Sequence, residues 1–247
     1  MDLRERGGAE RRHPWEVSRS RFFRRLVGAH ADLGAVDSVL DVGAGDGWFA
    51  QELLADLRPD ARVVCWDVHY GATELASAPE GVSRTASRPA GEFALVTALD
   101  VLEHDDDDLS FLRDQLVPTL AAGGTAVLSV PAHAALFSDH DRMLEHRRRY
   151  RPDDFRRLVG AHLDIVAHGS LFTSLIVPRL AQVGLERAGR HRSATGVGRW
   201  NGGAASTAAI TAALDADARA GQWLGRHGVP VPGLSTWVVA RLPGVAP

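Results

Sequence analysis

Residues 38–54 read SVLDVGAGDGWFAQELL, and the period of the pattern changes twice within them. Ser38 to Val42 is a short β-type run interrupted only by Asp41. Gly43, Gly45 and Gly47 then alternate through five positions, and Phe49, Leu53, Leu54 and Leu57 follow at helical spacing. Strand, glycine turn and helix in that order open a β-α-β unit. Glycines at such a turn let the backbone bend tightly and approach a ligand where a Cβ would collide.

Reading outward, the same alternation continues. ARVVCWD (61–67) is a buried strand candidate that ends at Asp67, and GEFALVTALD (91–100) is another. A helix carrying Leu109, Leu112, Leu116 and Leu120 follows, with Gly123 and Gly124 as its stop. GGTAVLSVP (123–131), LDIVAHGS (163–170) and STWVVARL (235–242) complete the strands legible from pattern, and 153–162 reads as a short helix. Strands alternating with helices imply a parallel sheet with both faces covered. Before the first strand, Phe22, Phe23, Leu26 and Val27 mark a helix closed by Gly34. Two helical segments, near 171–189 and 204–226, flank GRHRSATGVGRWNGG (189–203). An insertion this long between strands has structure of its own, often a lid over a site.

The chain has 247 residues, 45% hydrophobic and 24% charged, which predicts one domain with a substantial core. A net charge of −3 argues against nucleic acid as a partner. Every basic residue is arginine, which lowers the weight of any single one. Cys65 stands alone, so neither an internal disulfide nor a thiolate metal site is expected, and a reducing cytoplasm fits. Residues 1–13 lack the apolar stretch of a secretory signal, and no apolar run is long enough to insert stably in a membrane. The run Leu171–Leu185, broken by Pro178 and Arg179, reads as a buried helix or as one that pairs two copies in a homodimer, ahead of one that lies on a membrane surface.

The dinucleotide fingerprint needs G-x-G-x-x-G, but here the third glycine comes one residue early and Trp48 follows it. D-x-G-x-G-x-G instead resembles the first motif of class I S-adenosylmethionine-dependent methyltransferases. FALVTALDVLEH (93–104) looks like that family's fourth-strand motif, with Asp100 and Glu103–His104 at the carboxyl end where α/β sheets bind ligands. LAAGGTAVLSVPAH (120–133) looks like the turn and strand that follow. HPWEVSRSRFF (13–23), DHDRMLEHRRRY (139–150) and LSTWVVARL (234–242) are similar to a bacterial subgroup within it, so the likeness spans Trp15 to Leu242.

The resemblance implies a Rossmann-like α/β fold: a mostly parallel seven-stranded sheet, an antiparallel last strand and a helical lid insertion. It divides the single domain into a mobile tail (1–14), an N-terminal helix (15–34), a cofactor-binding core (35–170), a lid (171–233) and a last strand (234–242). It implies S-adenosylmethionine as cofactor and S-adenosylhomocysteine as product. Asp41 would hold the ammonium end through the turn, and Asp67 both ribose hydroxyls. Gly43, Ala44, Gly45, Gly47, Trp48, Val68, Leu99, Asp100 and Val101 would complete the cofactor site, with Arg19 folded over it. The adenine-binding acid of many relatives is missing from VSRTASRPAGEF (82–93), where Ser87 or a backbone carbonyl is the substitute.

Methyl transfer needs in-line alignment, and most acceptors also need a base, for which histidine is suited near neutral pH. His104, His140 and His146 are the candidates. Trp15, Asp141, Arg149, Tyr150 and Trp200 are expected to shape the pocket of a small acceptor, lipid-like or anionic. The run Asp105–Asp108 reads as a solvated helix start. No motif supports a metal: His140 and His146 with Asp141 lack a ligand spacing, and none is expected. Two other readings keep the cofactor: transfer of a group other than methyl, and a non-catalytic partner subunit.

Overall fold

The computed structural model describes residues 11–189 and 200–243. β1 (Ser38–Val42) pairs in parallel with β2 (Arg62–Trp66) on one side and β4 (Phe93–Leu99) on the other. With both edges paired and both faces covered, Val39 to Val42 are all buried. β3 (Val82–Thr85) lies outside β2, and β5 (Leu120–Pro131) lies beside β4. β7 (Ser235–Arg241) runs antiparallel between β5 and β6 (Asp164–Leu171). The order is therefore β3-β2-β1-β4-β5-β7-β6, seven strands with only the last reversed, as the resemblance implies. β3 escaped the pattern reading because it is four residues long and only Val82 is buried.

α1 (Pro14–His30) begins where the His13 ring accepts the Trp15 amide and Glu16 returns to the His13 amide. It stops at His30, short of Gly34, because Ala31 is already extended. Residues 1–10 of the expected tail lie outside the described residues. α2 (Trp48–Leu54) and α3 (Ala72–Ala76) follow β1 and β2. After β4, α4 (Asp108–Ser110) passes into a π-helical turn (Phe111–Leu116) and a 3-10 turn (Val117–Thr119). Gly123 and Gly124 do not stop this helix. They lie inside β5, in a register shift where Phe93 opposes Leu120 and Leu95 opposes Thr125. α5 (Asp139–Met143) and α6 (Pro152–Gly160) precede β6; α7 (Ile176–Arg187) and α8 (Ala204–Arg226) precede β7.

The sheet has a core on each face. Phe22, Phe23, Leu26, Leu53 and Leu214 pack on Val39, Leu95 and Val239, and Leu112, Leu116, Phe155 and Val159 pack on Leu40, Val96 and Val238. α8 belongs to the first of these. Its buried Asp215 accepts hydrogen bonds from Ser18 at 2.7 Å and Arg21 at 3.1 Å, which lays α8 along α1 rather than over a site. α7 is no buried helix either: Val183 is its buried residue, while Val177, Leu180 and Leu185 are exposed. No helix among the described residues is long and apolar enough to cross a membrane.

One buried acid breaks the apolar run of β1. Asp41 accepts from the Thr97 hydroxyl at 2.6 Å, yet burial pushes its carboxyl up to about 6. A raised carboxyl means that the folded state holds the proton more tightly than the unfolded chain. The associated stability is present below pH 4 and lost as pH rises through about 6, an effect on the order of 3 kcal/mol at most. Denaturant titrations of wild type and Asp41→Asn at pH 4 and pH 8 should show wild type losing ground to the variant at pH 8; a pH-independent difference would refute the assignment. Separately, Asp215→Ala strands Ser18 and Arg21 and should cost about 1–3 kcal/mol of unfolding free energy, read as a lower denaturation midpoint.

Candidate functional site

The turn between β1 and α2 is built on three left-handed glycines, Gly43, Gly45 and Gly47, at φ +62°, +56° and +76°. At Gly43 a Cβ would also meet Val101 Cγ2 at 2.6 Å. The Gly43 amide donates to the Trp66 carbonyl at 2.7 Å, which binds the turn to the end of β2. The Gly45 amide donates to Asp67 Oδ2 at 2.8 Å and the His69 amide to Oδ1 at 2.9 Å. Each carboxylate oxygen thus spends one acceptor site on backbone and keeps another for a ligand. Asp46 caps the turn through the Trp48 amide and pairs with Arg12 at 2.5 Å, and Arg12 stacks over the Trp48 ring at 4.7 Å.

These elements border a cavity of about 620 Å³ at the carboxyl ends of β1, β2, β4 and β5. One end is formed by Trp15, Arg19, Gly43, Trp48, Asp67 and Val68. Leu99, Asp100 and Val101 form the floor where β4 ends. Asp41, Ala44, Gly45 and Gly47 lie behind the wall and shape it without lining it. Ser87 is exposed after β3, bonded to Thr85, and does not reach the cavity. Arg19 donates to Asp100 at 2.8 Å and Ser129 at 3.3 Å, and Ser129 donates to Asp100 at 3.1 Å. These contacts hold Asp100 at φ +62°, a costly backbone for a residue with a Cβ.

His104, His140, His146 and Arg149 line the opposite end. Their frame is Asp141, fully buried in α5. It accepts from the Ser138 amide at 2.9 Å, Arg149 Nε at 2.8 Å and Arg179 Nη2 at 2.6 Å, and its Oδ1 lies 3.0 Å from His146 Nδ1. Burial alone would raise this carboxyl, but the His146 hydrogen bond and the charges of Arg149 and Arg179 hold it well below the usual range. Burial, then the charge of Arg179, pushes His140 down to about 4, so its ring is neutral at physiological pH. Two expected pocket residues lie elsewhere. Tyr150 faces the core and donates to Asp108 at 2.7 Å. Trp200 sits edge-on to His13 at 5.0 Å and donates to Thr207. The hydrogen-bond partners of both, Asp108 and Thr207, lie outside the cavity, while the Trp200 ring rests on His13 at its border.

Arg179, Arg12, Arg147 and Glu103 were not among the expected site residues. In sequence, Arg179 merely interrupts an apolar run; in space it and Leu175 are the part of 171–189 that lines the cavity. Arg147 and Arg148, readable as surface charge, pair with Asp106 at 3.1 Å and Asp108 at 2.9 Å. Asp106 and Asp107 remain exposed and Asp107 caps α4, as a solvated helix start implies, while Asp108 is drawn against the arginine loop. Glu103 is completely buried.

The methyltransferase domain family matches residues 10–175. No curated protein sequence matches the chain. Among solved structures, the N-methyltransferase NodS from Bradyrhizobium japonicum WM9 in complex with S-adenosyl-L-homocysteine is 17% identical, with 94% of this chain and 89% of that one covered and a TM-score of 0.53. Coclaurine N-methyltransferase bound to N-methylheliamine is 13% identical, with coverages of 90% and 72% and a TM-score of 0.54. The [4+2]-cyclase SpnF is 18% identical, with coverages of 91% and 82% and a TM-score of 0.55. At these identities the likeness is one of fold. The family match spans well over half of the chain and contains the glycine turn, Asp67 and the histidine wall: the chain belongs to the methyltransferase domain family, with the fold of the class I S-adenosylmethionine-dependent enzymes.

Proposed function

We propose that the protein transfers a methyl group from S-adenosylmethionine to a small-molecule acceptor in the cytoplasm, leaving S-adenosylhomocysteine. The observation that carries this reading is a single cavity with two chemically different ends: the glycine turn with Asp67, and the histidine wall with Arg149 and Arg179. About 620 Å³ falls within the roughly 300–1,000 Å³ of small-molecule sites. The first end fits the cofactor: the two free acceptor sites of Asp67 match a pair of ribose hydroxyls, and side chain is excluded where Gly43 meets Val101. When bound, the cofactor supplies an electrophilic methyl group on a sulfonium.

What remains is placement and a proton. Trp15, Trp48, Leu99 and Val101 exclude water from the line of transfer. Arg19, fixed to Asp100, ties α1 to the end of β4 and so positions Trp15 beside the cavity. At the other end Arg149 and Arg179 carry two positive charges against the single charge of Asp141, which favours an anionic or hydroxylated acceptor. Of the three candidate bases, His140 has a ring kept neutral by burial, so it accepts a proton as positive charge builds on the nucleophile. His104 and His146, on the same wall, stand edge to face with each other, their ring centroids 4.7 Å apart.

Calorimetric titration with S-adenosylhomocysteine should give binding that Asp67→Ala weakens by about 1.5–3 kcal/mol, the worth of a charge-assisted contact. No binding by folded wild type would end the reading. Methyl-labelled cofactor offered with amine, hydroxyl and carbon-acid acceptors should yield labelled product and S-adenosylhomocysteine. Methylthioadenosine as product would instead mean transfer of the other carbon chain. With an accepted substrate, His140→Asn should lower turnover by about 10²-fold or more and leave S-adenosylhomocysteine affinity unchanged. The acid limb of the wild-type rate profile should lie near pH 4 rather than 6.5.

A further inference from the structure

Glu103 poses a problem that the methyl-transfer reading does not solve. Its side chain is fully buried, and neither carboxylate oxygen accepts a hydrogen bond from another described residue. A carboxyl group in that state is costly whether ionised or protonated, so a missing partner is implied. Its surroundings say what kind. Oδ1 of Asp141 lies 3.0 Å from His146 Nδ1, so that nitrogen is engaged by the carboxylate. The other ring nitrogen, Nε2, faces Glu103 Oε1 at 4.0 Å. That distance is too long for a hydrogen bond and leaves the two atoms near each other without a partner between them. His104 completes the group: ligand atoms of Glu103, His104 and His146 all lie within 4.8 Å of one another.

We propose that Glu103, His104 and His146 bind one divalent transition-metal cation at the acceptor end of the cavity. The donor set is two imidazoles and one carboxylate, suited to Zn²⁺, Mn²⁺, Fe²⁺ or Co²⁺ rather than to Ca²⁺. Ligand distances of about 2.1 Å require donor separations of roughly 3–3.5 Å, so small side-chain rotations close the site. Asp141 is the outer carboxylate that orients a metal-bound histidine through its other nitrogen. His104 and His146 line the cavity while Glu103 lies behind them, so the cation keeps open positions toward the cavity. An acceptor oxygen bound there is fixed in place, and its hydroxyl proton becomes easier to remove, with His140 on the same wall. This deepens the methyl-transfer reading, on which it rests for the role of the cation, by naming the acceptor as an oxygen ligand.

The test uses full-length protein stripped with chelator, titrated with Co²⁺ and followed by its visible spectrum, then competed with Zn²⁺. One equivalent should bind with the absorption of a low-coordinate nitrogen and oxygen site. Glu103→Gln and His146→Asn, each checked for folding by circular dichroism, should weaken binding at least 10-fold. Absence of a one-equivalent spectrum in wild type, or affinity unchanged in both variants, overturns the site; the latter places the metal on other histidines. S-adenosylhomocysteine titrated into the same samples separates the two ideas. If it binds while Co²⁺ does not, only the metal proposal fails; if Co²⁺ binds and it does not, the methyl-transfer reading fails and the metal site stands.

Discussion

The hydrogen bond from the Gly45 amide to the Asp67 carboxylate, 2.8 Å long, joins two strand ends that every other part of the site is measured from. It requires Gly43, Gly45 and Gly47 all at positive φ, and it requires β1 and β2 in the register that sets Val42 beside Trp66. A side chain at Gly43 would drive Val101, and with it the end of β4, out of the floor. The local sequence and the sheet register are therefore one constraint seen at two scales. The turn closes only on a correctly paired sheet, and that pairing places Asp67 where its remaining acceptor sites face the cavity.

The second constraint is electrostatic. Asp141, with no exposed surface, is surrounded by Arg149, Arg179 and His146. Such a cluster contributes little net stability, since desolvation of the ions offsets much of their attraction. What it provides is position. Through Asp141, α5, the arginine loop and the start of α7 share one point, although Arg179 is 38 residues away in sequence. Removing that carboxylate would leave two buried arginines unpaired, so the arrangement holds together or fails together.

Legibility in the sequence followed the range of each interaction. SVLDV, ARVVCW and STWVVAR show as strands because burial on both faces leaves a mostly apolar run, broken in SVLDV by Asp41, and the glycine turn shows because left-handed backbone needs glycine. Asp67 was found by its distance along the chain from that turn. β3 was hidden because an edge strand of four residues carries no such run. Nothing local distinguishes α7, whose Leu175–Arg179 end lines the cavity, from α8, which packs on α1; the Ser18–Asp215 bond that places α8 spans 197 residues. Tyr150 and Trp200 were expected in the pocket on residue type, and their partners, Asp108 and Thr207, place them outside it. Arg179 was invisible for the same reason in reverse.

Glu103 shows how far residue type alone misleads. Next to His104, at the carboxyl end of a strand, it is placed near a ligand site by its motif, but nothing in the local sequence marks it as buried. The chain continues from β4 into a 3-10 turn, Leu102–His104, and that turn directs residue 103 inward while His104 faces the cavity. The Arg147 amide then closes over it by donating to the Glu103 carbonyl at 2.7 Å. The Glu103 carbonyl is thus satisfied and its side chain is not, an imbalance that folding alone does not select. A buried acid retained without a partner beside two imidazoles, one of them oriented by an ionised carboxylate, is accounted for when a cation is the partner. On that account the arginine loop positions a metal ligand as well as an acceptor pocket, and Asp141 serves both.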